Sequence, residues 1–397
     1  MNNKLKDETI LYTYDSCCGC GGCMQICPKN AITMKTAHAG GVYPKVDTEK
    51  CISCRLCIKT CAFQKEHVYP SAIEGYALVN NNKKELGQSA SGGAFSAIAT
   101  NFIKKNNVVC GSVMKYDKKV RAEHMVVTSK DQLSLLYGSK YVYSSLLPLY
   151  RILEKYLKNG KKVLFSGTPC QVSQIKLMFD KYKSNLYTID IICHGTPSEQ
   201  IFSDYIKFLE KKNAGKVIDF KFRDKCYGWG KYGSVVLLKN GEKQKIDLPQ
   251  EKSSYYTFFM EGNLQRENCF DCPYAKSERC SDLTIGDYWG IEKYQPDILK
   301  SNNGSLDEEK GISAVLVNTK KGKELLENID AALINAKVED IVLGNSQLRH
   351  PVPKGKLYDQ IIKAYHIGGY RTVENIFLFK RLKRGIKTYF THAVKKK

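Results

Sequence analysis

The sequence has no apolar run of the roughly 18 residues that a membrane-spanning helix needs. Its opening stretch, MNNKLKDETILYTYDS, lacks the basic head and apolar middle of a secretory leader, so a cytoplasmic protein is expected. No G-x-G-x-x-G and no Walker-type loop occurs, so neither a nicotinamide Rossmann site nor a P-loop is indicated. Helix-turn-helix, RRM and finger patterns are missing too, and no nucleic-acid partner is expected. Acidic residues are in short supply, with 40 Asp and Glu against 62 Lys and Arg and a formal charge of +22. That balance favours acidic partners such as phosphates, anionic lipid, an acidic redox protein or nucleic acid, but it is spread along the chain and selects none of them. With 397 residues, 43% apolar and 26% charged, the chain reads as two or three globular domains and not as a disordered polymer.

Cysteine, by contrast, is plentiful. Sixteen thiols in a reducing compartment point to metal or cluster ligation and away from disulfides. Half of them form one motif written twice: Cys17-x2-Cys20-x2-Cys23-x3-Cys27-Pro28, then Cys51-x2-Cys54-x2-Cys57-x3-Cys61. This is the bacterial ferredoxin spacing, in which three close thiolates hold one 4Fe–4S cluster and the fourth serves the other. Cluster one is therefore assigned to Cys17, Cys20, Cys23 and Cys61, and cluster two to Cys51, Cys54, Cys57 and Cys27. Zinc ribbons use two CxxC pairs and do not match these tight triplets. The repeat predicts pseudo-twofold symmetry, with a short helix after each run and a hairpin over Gly40–Val46 between them. Two details depart from a symmetric pattern: Cys61 is followed by Ala62 where proline would stand, and Cys18 is an extra thiol without a ligand role.

Beyond residue 68, strands alternate with helices. Strands are expected at Ile73–Val79, Val108–Met114, Val163–Phe165 and Tyr187–Cys193, and helices at Gly92–Lys105, Cys170–Phe179 and from Pro197 to Lys211. Ser234–Leu238 and Lys243–Leu248 flank Asn240-Gly241 as a hairpin. The fold class is α+β: an N-terminal two-cluster ferredoxin-type module (1–68), a larger mixed α/β domain (69–370) and a basic tail (371–397). Gly-Thr-Pro at 167–169 and 195–197, and the turn Ser89–Gly93, lie at helix starts whose free amides suit a phosphate, although such turns are mostly plain helix openings. Cys269-x2-Cys272-Pro273, with Cys170 and Cys193 at predicted strand ends, is compatible with a zinc site, a redox pair or simple burial.

Several motifs occur in order: Ser91-Gly92-Gly93, Ser166-Gly167-Thr168-Pro169-Cys170-Gln171, Cys193-His194-Gly195, Phe222-Arg223-Asp224-Lys225, Gly228-Trp229, Cys269-x2-Cys272-Pro273-Tyr274 and Asp282–Gly290. Together they closely resemble the family of coenzyme F420 hydrogenase/dehydrogenase beta subunits, over nearly the whole chain to about residue 370. The resemblance implies an iron–sulfur flavoprotein oxidoreductase with FAD and a third 4Fe–4S cluster in the large domain. It assigns that cluster to Cys170, Cys193, Cys269 and Cys272, with Cys280 as a rival ligand and Cys110 and Cys226 as spares. It places FAD near Ser91, Gly92 and Gly93, near Ser139, Lys140 and Tyr141, and near Ser166, Gly167, Thr168 and Pro169. Flavin exchanges two electrons with a substrate and one at a time with clusters, so the pair converts between the two kinds of partner. His194 is a candidate proton donor, with a hydrogen-bonding role beside a cluster as the alternative, and Arg223, Lys225 and Lys140 are candidate holders of an acidic group. Family members differ in substrate, so the resemblance does not say whether coenzyme F420 is used.

Two readings of function follow: an oxidoreductase meeting a small-molecule substrate, or a non-catalytic electron carrier serving a partner enzyme. In the tail, Ile376, Phe379, Leu382, Ile386, Tyr389 and Val394 recur at helical spacing among lysines and arginines. Such a helix suits peripheral contact with an anionic membrane, but a helix packed on the domain is the preferred expectation.

Overall fold

A computed structural model describes residues 15–37, 40–230 and 232–394, with side chains described to Lys383, Tyr232 excepted. The expectations for the N-terminal leader and for Lys395–Lys397 lie outside the described residues, as do the side chains of Ile386, Tyr389 and Val394.

The internal repeat appears first in the backbone. Gly19 and Gly21 take φ of +72° and +77°, and the matching residues of the second run, Ser53 and Arg55, take +56° and +58°. Each run thus curls through the same two left-handed turns, cheap for glycine and strained for the serine and arginine. A short helix opens inside each run, not after it: α1 (Gly22–Ile26) carries Cys23, and α2 (Leu56–Lys59) carries Cys57. Between them lies a hairpin, β1 (Ile32–Thr36) pairing antiparallel with β2 (Val42–Val46), so the segment Gly40–Val46 expected to form the whole hairpin supplies its second strand.

The large domain continues with β3 (Glu74–Asn80), α3 (Lys83–Gln88), α4 (Ala94–Ile103), β4 (Val108–Tyr116), β5 (Val120–Val127) and β6 (Ser144–Ser145). Then follow α5 (Tyr150–Lys158), β7 (Val163–Gly167), α6 (Pro169–Met178), β8 (Leu186–Ile191) and α7 (Glu199–Asn213). Next come β9 (Lys216–Asp224), β10 (Tyr232–Lys239), β11 (Glu242–Pro249), α8 (Ser254–Met260), β12 (Leu283–Asp287) and α9 (Ile291–Tyr294). The last elements are β13 (Ser313–Val317), α10 (Lys320–Leu326), β14 (Ala331–Ala336), α11 (Val338–Gly344) and α12 (Tyr358–Val394).

A nine-stranded mixed sheet runs β14-β3-β13-β12-β8-β7-β4-β5-β6, and its centre, β12-β8-β7-β4, is parallel. Val163, Leu164 and Phe165 of β7 are fully buried, as a strand covered on both faces must be. A parallel centre brings the C-terminal ends of β7 and β8 to one edge, where α/β sheets build their sites. The second sheet, β11-β10-β9, is antiparallel, and its hairpin closes over Asn240 and Gly241 at φ +52° and +84°.

α12 is two helices joined at Gly368 and Gly369, which leave helical geometry. Past that joint Tyr370, Val373 and Phe377 are buried in an aromatic core with Tyr205, Tyr255 and Phe258. The helix therefore packs on the domain. Its contact face is offset from the apolar stripe read in the sequence, leaving Phe379 and Leu382 exposed. Among the described residues, no helix is long and apolar enough to cross a membrane.

Candidate functional site

The dicluster module is clamped to the large domain through its first cysteine run. Three consecutive backbone carbonyls are taken by buried donors from the large domain. Arg266 Nη1 donates to Cys18 O at 2.9 Å, Tyr143 Oη to Gly19 O at 2.6 Å, and Tyr150 Oη to Cys20 O at 3.0 Å. The Arg266 guanidinium also lies 4.6 Å over the Tyr143 ring and donates to Thr196 Oγ1. At the other end of the seam, Gln174 of α6 makes a two-way bond: its Nε2 donates to Thr60 O at 3.0 Å and its Oε1 accepts from Ala62 N at 3.1 Å. This explains the departure from Cys–Pro: proline at position 62 would have no N–H to give.

Within the module, Cys61 lies in the electrostatic field of Cys17 and Cys23, joining the first run, while Cys57 feels Cys51 and Cys54. Backbone amides donate to sulfur in matching fashion, Gly19 N to Cys17 Sγ and Ala31 N to Cys27 Sγ, each at 3.3 Å. Burial pushes the Cys17 and Cys23 thiols up to about 11 and about 12. Such thiols are neutral in bare protein and become good ligands where iron supplies the opposing charge.

Cys170, Cys193, Cys269 and Cys272 come together. Cys193 is close enough to feel each of the other three, and Cys272 feels Cys170 and Cys269. Cys170 opens α6, where Thr168 and Gln171 form a capping box and Thr168 Oγ1 lies 3.1 Å from Cys170 Sγ. Gly-Thr-Pro here is a helix start that aims a thiol. Cys280 turns instead toward Pro169 O, at 3.4 Å, beside the fully buried Arg279–Asp190 ion pair. Cys110 is buried in the core and Cys226 is exposed on a turn. Cys18 is buried within thiol hydrogen-bonding range of both Cys20 and Cys170, so it stands between the first run and this second group. Among the described residues, no three His, Cys, Asp or Glu converge as they would on a single ion.

A cavity of about 430 Å³ opens beside this group and is lined by Cys18, Cys170, Cys193 and His194. Of the predicted flavin contacts, Ser91, Gly93, Ser139, Lys140, Tyr141, Ser166, Gly167 and Thr168 line it too. Gly92 and Pro169 do not. A Cβ on Gly92 would meet Leu78 O at 2.1 Å, so that glycine permits sheet packing, and Pro169 sits buried at the first position of α6. Lys140 Nζ donates to Leu136 O and Tyr137 O at 2.9 and 2.7 Å, and burial lowers its pKa to about 7. Lys225 likewise binds backbone, at Leu86 O and Ser91 O, and burial with Arg223 nearby lowers it to about 8.

Arg223 pairs with Asp287 at 2.5 Å, and Trp229 Nε1 donates to the other Asp287 oxygen at 3.2 Å. Burial opposes the guanidinium charge, but the ion pair with Asp287 outweighs it and keeps Arg223 cationic. Its Nη2 and the Nε2 of His194 are buried without a hydrogen-bond partner, and both residues line the cavity. Unpaired buried donors cost free energy unless a bound group meets them. In the Asp282–Gly290 motif, Asp282 is architectural, accepting from Thr188 N, Thr188 Oγ1 and Thr319 Oγ1, whereas Asp287 faces the cavity.

Sequence reasoning missed Arg266, Tyr143, Tyr150 and Gln174 at the seam and His124 in the cavity wall. His124 is buried on β5 between Ser144 Oγ at 2.9 Å and Ser166 O at 3.1 Å, and burial lowers its pKa to about 4. The one available signal was Arg266 standing three residues before the Cys269–Cys272 pair.

Fold and site define an iron–sulfur electron-transfer protein in which a two-cluster module docks on an α/β domain with its own thiol group and cavity. The chain belongs to the family of coenzyme F420 hydrogenase/dehydrogenase beta subunits. The N-terminal model of that family matches residues 77–151, its C-terminal model residues 160–340, and a 4Fe-4S dicluster domain residues 16–65. It is 22% identical over 244 residues to one subunit of the F(420)H(2) dehydrogenase of Methanosarcina mazei, covering 59% of this chain and 68% of the relative. An uncharacterised protein of Methanocaldococcus jannaschii is 23% identical over 361 residues, covering 80% of this chain and 87% of the relative. The coenzyme F420-dependent sulfite reductase of the same organism is 22% identical over 328 residues; the match takes in 78% of this chain but 45% of that protein. A chain of the F420-reducing [NiFe] hydrogenase complex from Methanosarcina barkeri superposes with TM-score 0.45 at 13% identity, covering 77% of this chain and 96% of that one.

Proposed function

We propose that this protein is an iron–sulfur flavoprotein oxidoreductase that exchanges electrons between a two-electron substrate in the large-domain cavity and one-electron carriers at the dicluster module. The reading rests on one observation above all: a single cavity is lined by eight of the ten predicted flavin residues, by Cys170 and Cys193, and by Cys18 on the seam with the module. FAD bound there would supply two-electron chemistry toward substrate and one-electron chemistry toward clusters. Cys170, Cys193, Cys269 and Cys272 would hold a third cluster, and Ser91, Gly93, Ser139, Lys140, Tyr141 and Ser166–Thr168 the flavin.

The chain's own groups have distinct tasks in this scheme. Lys140, fixed by two backbone carbonyls, keeps one N–H for an anionic group. Arg223, with Nη2 unpaired, offers a permanent cation at the Asp287 end. His194 lines the same space and its buried Nε2 has no hydrogen-bond partner, so a small rotation of the ring would let it give or accept a hydrogen bond there. His124, kept neutral by burial, fixes Ser144 and the Ser166 backbone and so the shape of the wall. Trp289 lines the Asp287 end and packs on Trp229, with ring centroids 4.8 Å apart.

Anaerobic purification with iron, sulfide and flavin measured on one sample tests the reading. About twelve irons per chain, four for each of three clusters, together with one FAD are expected. Reduced coenzyme F420 is the first donor to try, since two relatives of this chain are named for it. About eight irons and no flavin after reconstitution would confine redox chemistry to the module and make the protein a carrier for a partner enzyme.

A further inference from the structure

The two halves of the dicluster module are alike in backbone and unlike in cover. In the first half Cys18, Cys20 and Cys23 are buried, and the carbonyls of residues 18–20 are capped from the large domain. In the second half Cys51 and Cys54 are exposed. So are three large apolar side chains, Ile52 at 57%, Leu56 at 39% and Ile58 at 42%. Single apolar residues in water are ordinary, but three within seven residues, beside a predicted ligand run, form a patch. Lys50, Arg55 and Lys59 are exposed around it, with Asp47 and Glu49 as opposing charges beside them. Lys50 reaches Asp47 at 2.8 Å across open surface, a pairing that leaves its charge accessible. An apolar centre with a charged rim is the anatomy of a protein-recognition surface, and a basic rim selects an acidic partner.

We propose that the face spanning Lys50 to Lys59 is the docking surface for a small acidic electron-carrier protein. The proposal rests on the reading that the second cysteine run holds a cluster. The first run is sealed against the large domain, so the second run is the face through which a protein partner comes within electron-transfer range. Each encounter moves one electron and makes no bond: the cluster at this face is oxidised as the carrier's own centre is reduced, or the reverse. The chain's excess of basic residues, formally +22 before cluster thiolates are counted, adds long-range attraction, and the local cations set the orientation.

The test titrates iron-loaded full-length protein with an acidic plant-type ferredoxin, and with basic cytochrome c as the contrasting probe. Affinity is read by calorimetry at low and high salt, and the one-electron exchange rate by stopped flow. Ferredoxin affinity is expected to fall at least about tenfold between low and high salt. A similar loss is expected in a Lys50→Glu, Lys59→Glu variant and, at unchanged salt slope, in Ile52→Ser. Reaction with a small viologen dye should persist in both variants, and iron is measured on each. Equal binding of cytochrome c and ferredoxin, or variants that bind ferredoxin as wild type does, overturns the docking surface. A wild-type module that holds no iron after reconstitution overturns the functional reading beneath it. The salt dependence is measured on wild type, so the folding of a variant does not decide the outcome.

Discussion

Lys140 is a cation that the fold keeps near its tipping point. Burial lowers it from the ordinary lysine range to about 7, so it is charged below neutrality and loses its proton as pH rises through that value. If its ammonium holds the flavin's anionic part, flavin affinity should weaken as pH climbs from 7, by at most about tenfold per pH unit. Lys140→Met should bind more weakly at pH 6 and lose the pH slope. Fluorescence titration of released and rebound FAD at pH 6, 7 and 8 checks both, and an unchanged slope in the variant would remove the role. The dicluster motif was readable because its cysteine spacing is local and chemically specific. Arg266, Tyr143, Tyr150 and Gln174 were not, because each grips a backbone carbonyl or amide more than a hundred residues away, and backbone carries no side-chain signature. His124 hid for another reason: on a strand of alternating burial it looks like any other inward residue.

Among the elements, three of the four parallel strands (β4, β7 and β8, but not β12) and the Asn-Gly hairpin were legible because buried runs and left-handed turns leave plain marks in sequence. The seam was only partly legible. Gly19 and Gly21 make the left-handed turns of the first run, but Gly21 has a second task. A Cβ there would stand 2.2 Å from Leu147 Cδ2, so the glycine also lets the first run seat against the large domain. Gly21→Ala adds left-handed strain and this clash, and should cost about 1–3 kcal/mol. The visible absorbance of the loaded module during thermal unfolding reports it, with an earlier loss expected in the variant than in wild type. α12 shows how a correct pattern can still misplace a face. Its helical spacing was evident, but which stripe is buried was set by the distant aromatics Tyr205, Tyr255 and Phe258, which the tail's own sequence cannot announce.

For the whole molecule, the decisive fact is that module and domain share polar contacts that neither could satisfy alone. Removing the guanidinium in Arg266→Met leaves Cys18 O without its donor in a buried seam, at a cost of about 2–3 kcal/mol. Hydrogen exchange at residues 17–23 and at Thr60–Ala62 should rise together in that variant while the β7–β8 core stays protected. Exchange confined to the mutated site would mean that the seam is not one cooperative unit. The asymmetry of cover also bears on how such a protein ages. Oxygen and oxidants arrive from solvent, and they meet the Cys51 side long before the Cys17 side. Weathering would therefore start at the outer edge, costing the protein its proposed exchange with other proteins before the more deeply buried thiols of the first run are reached.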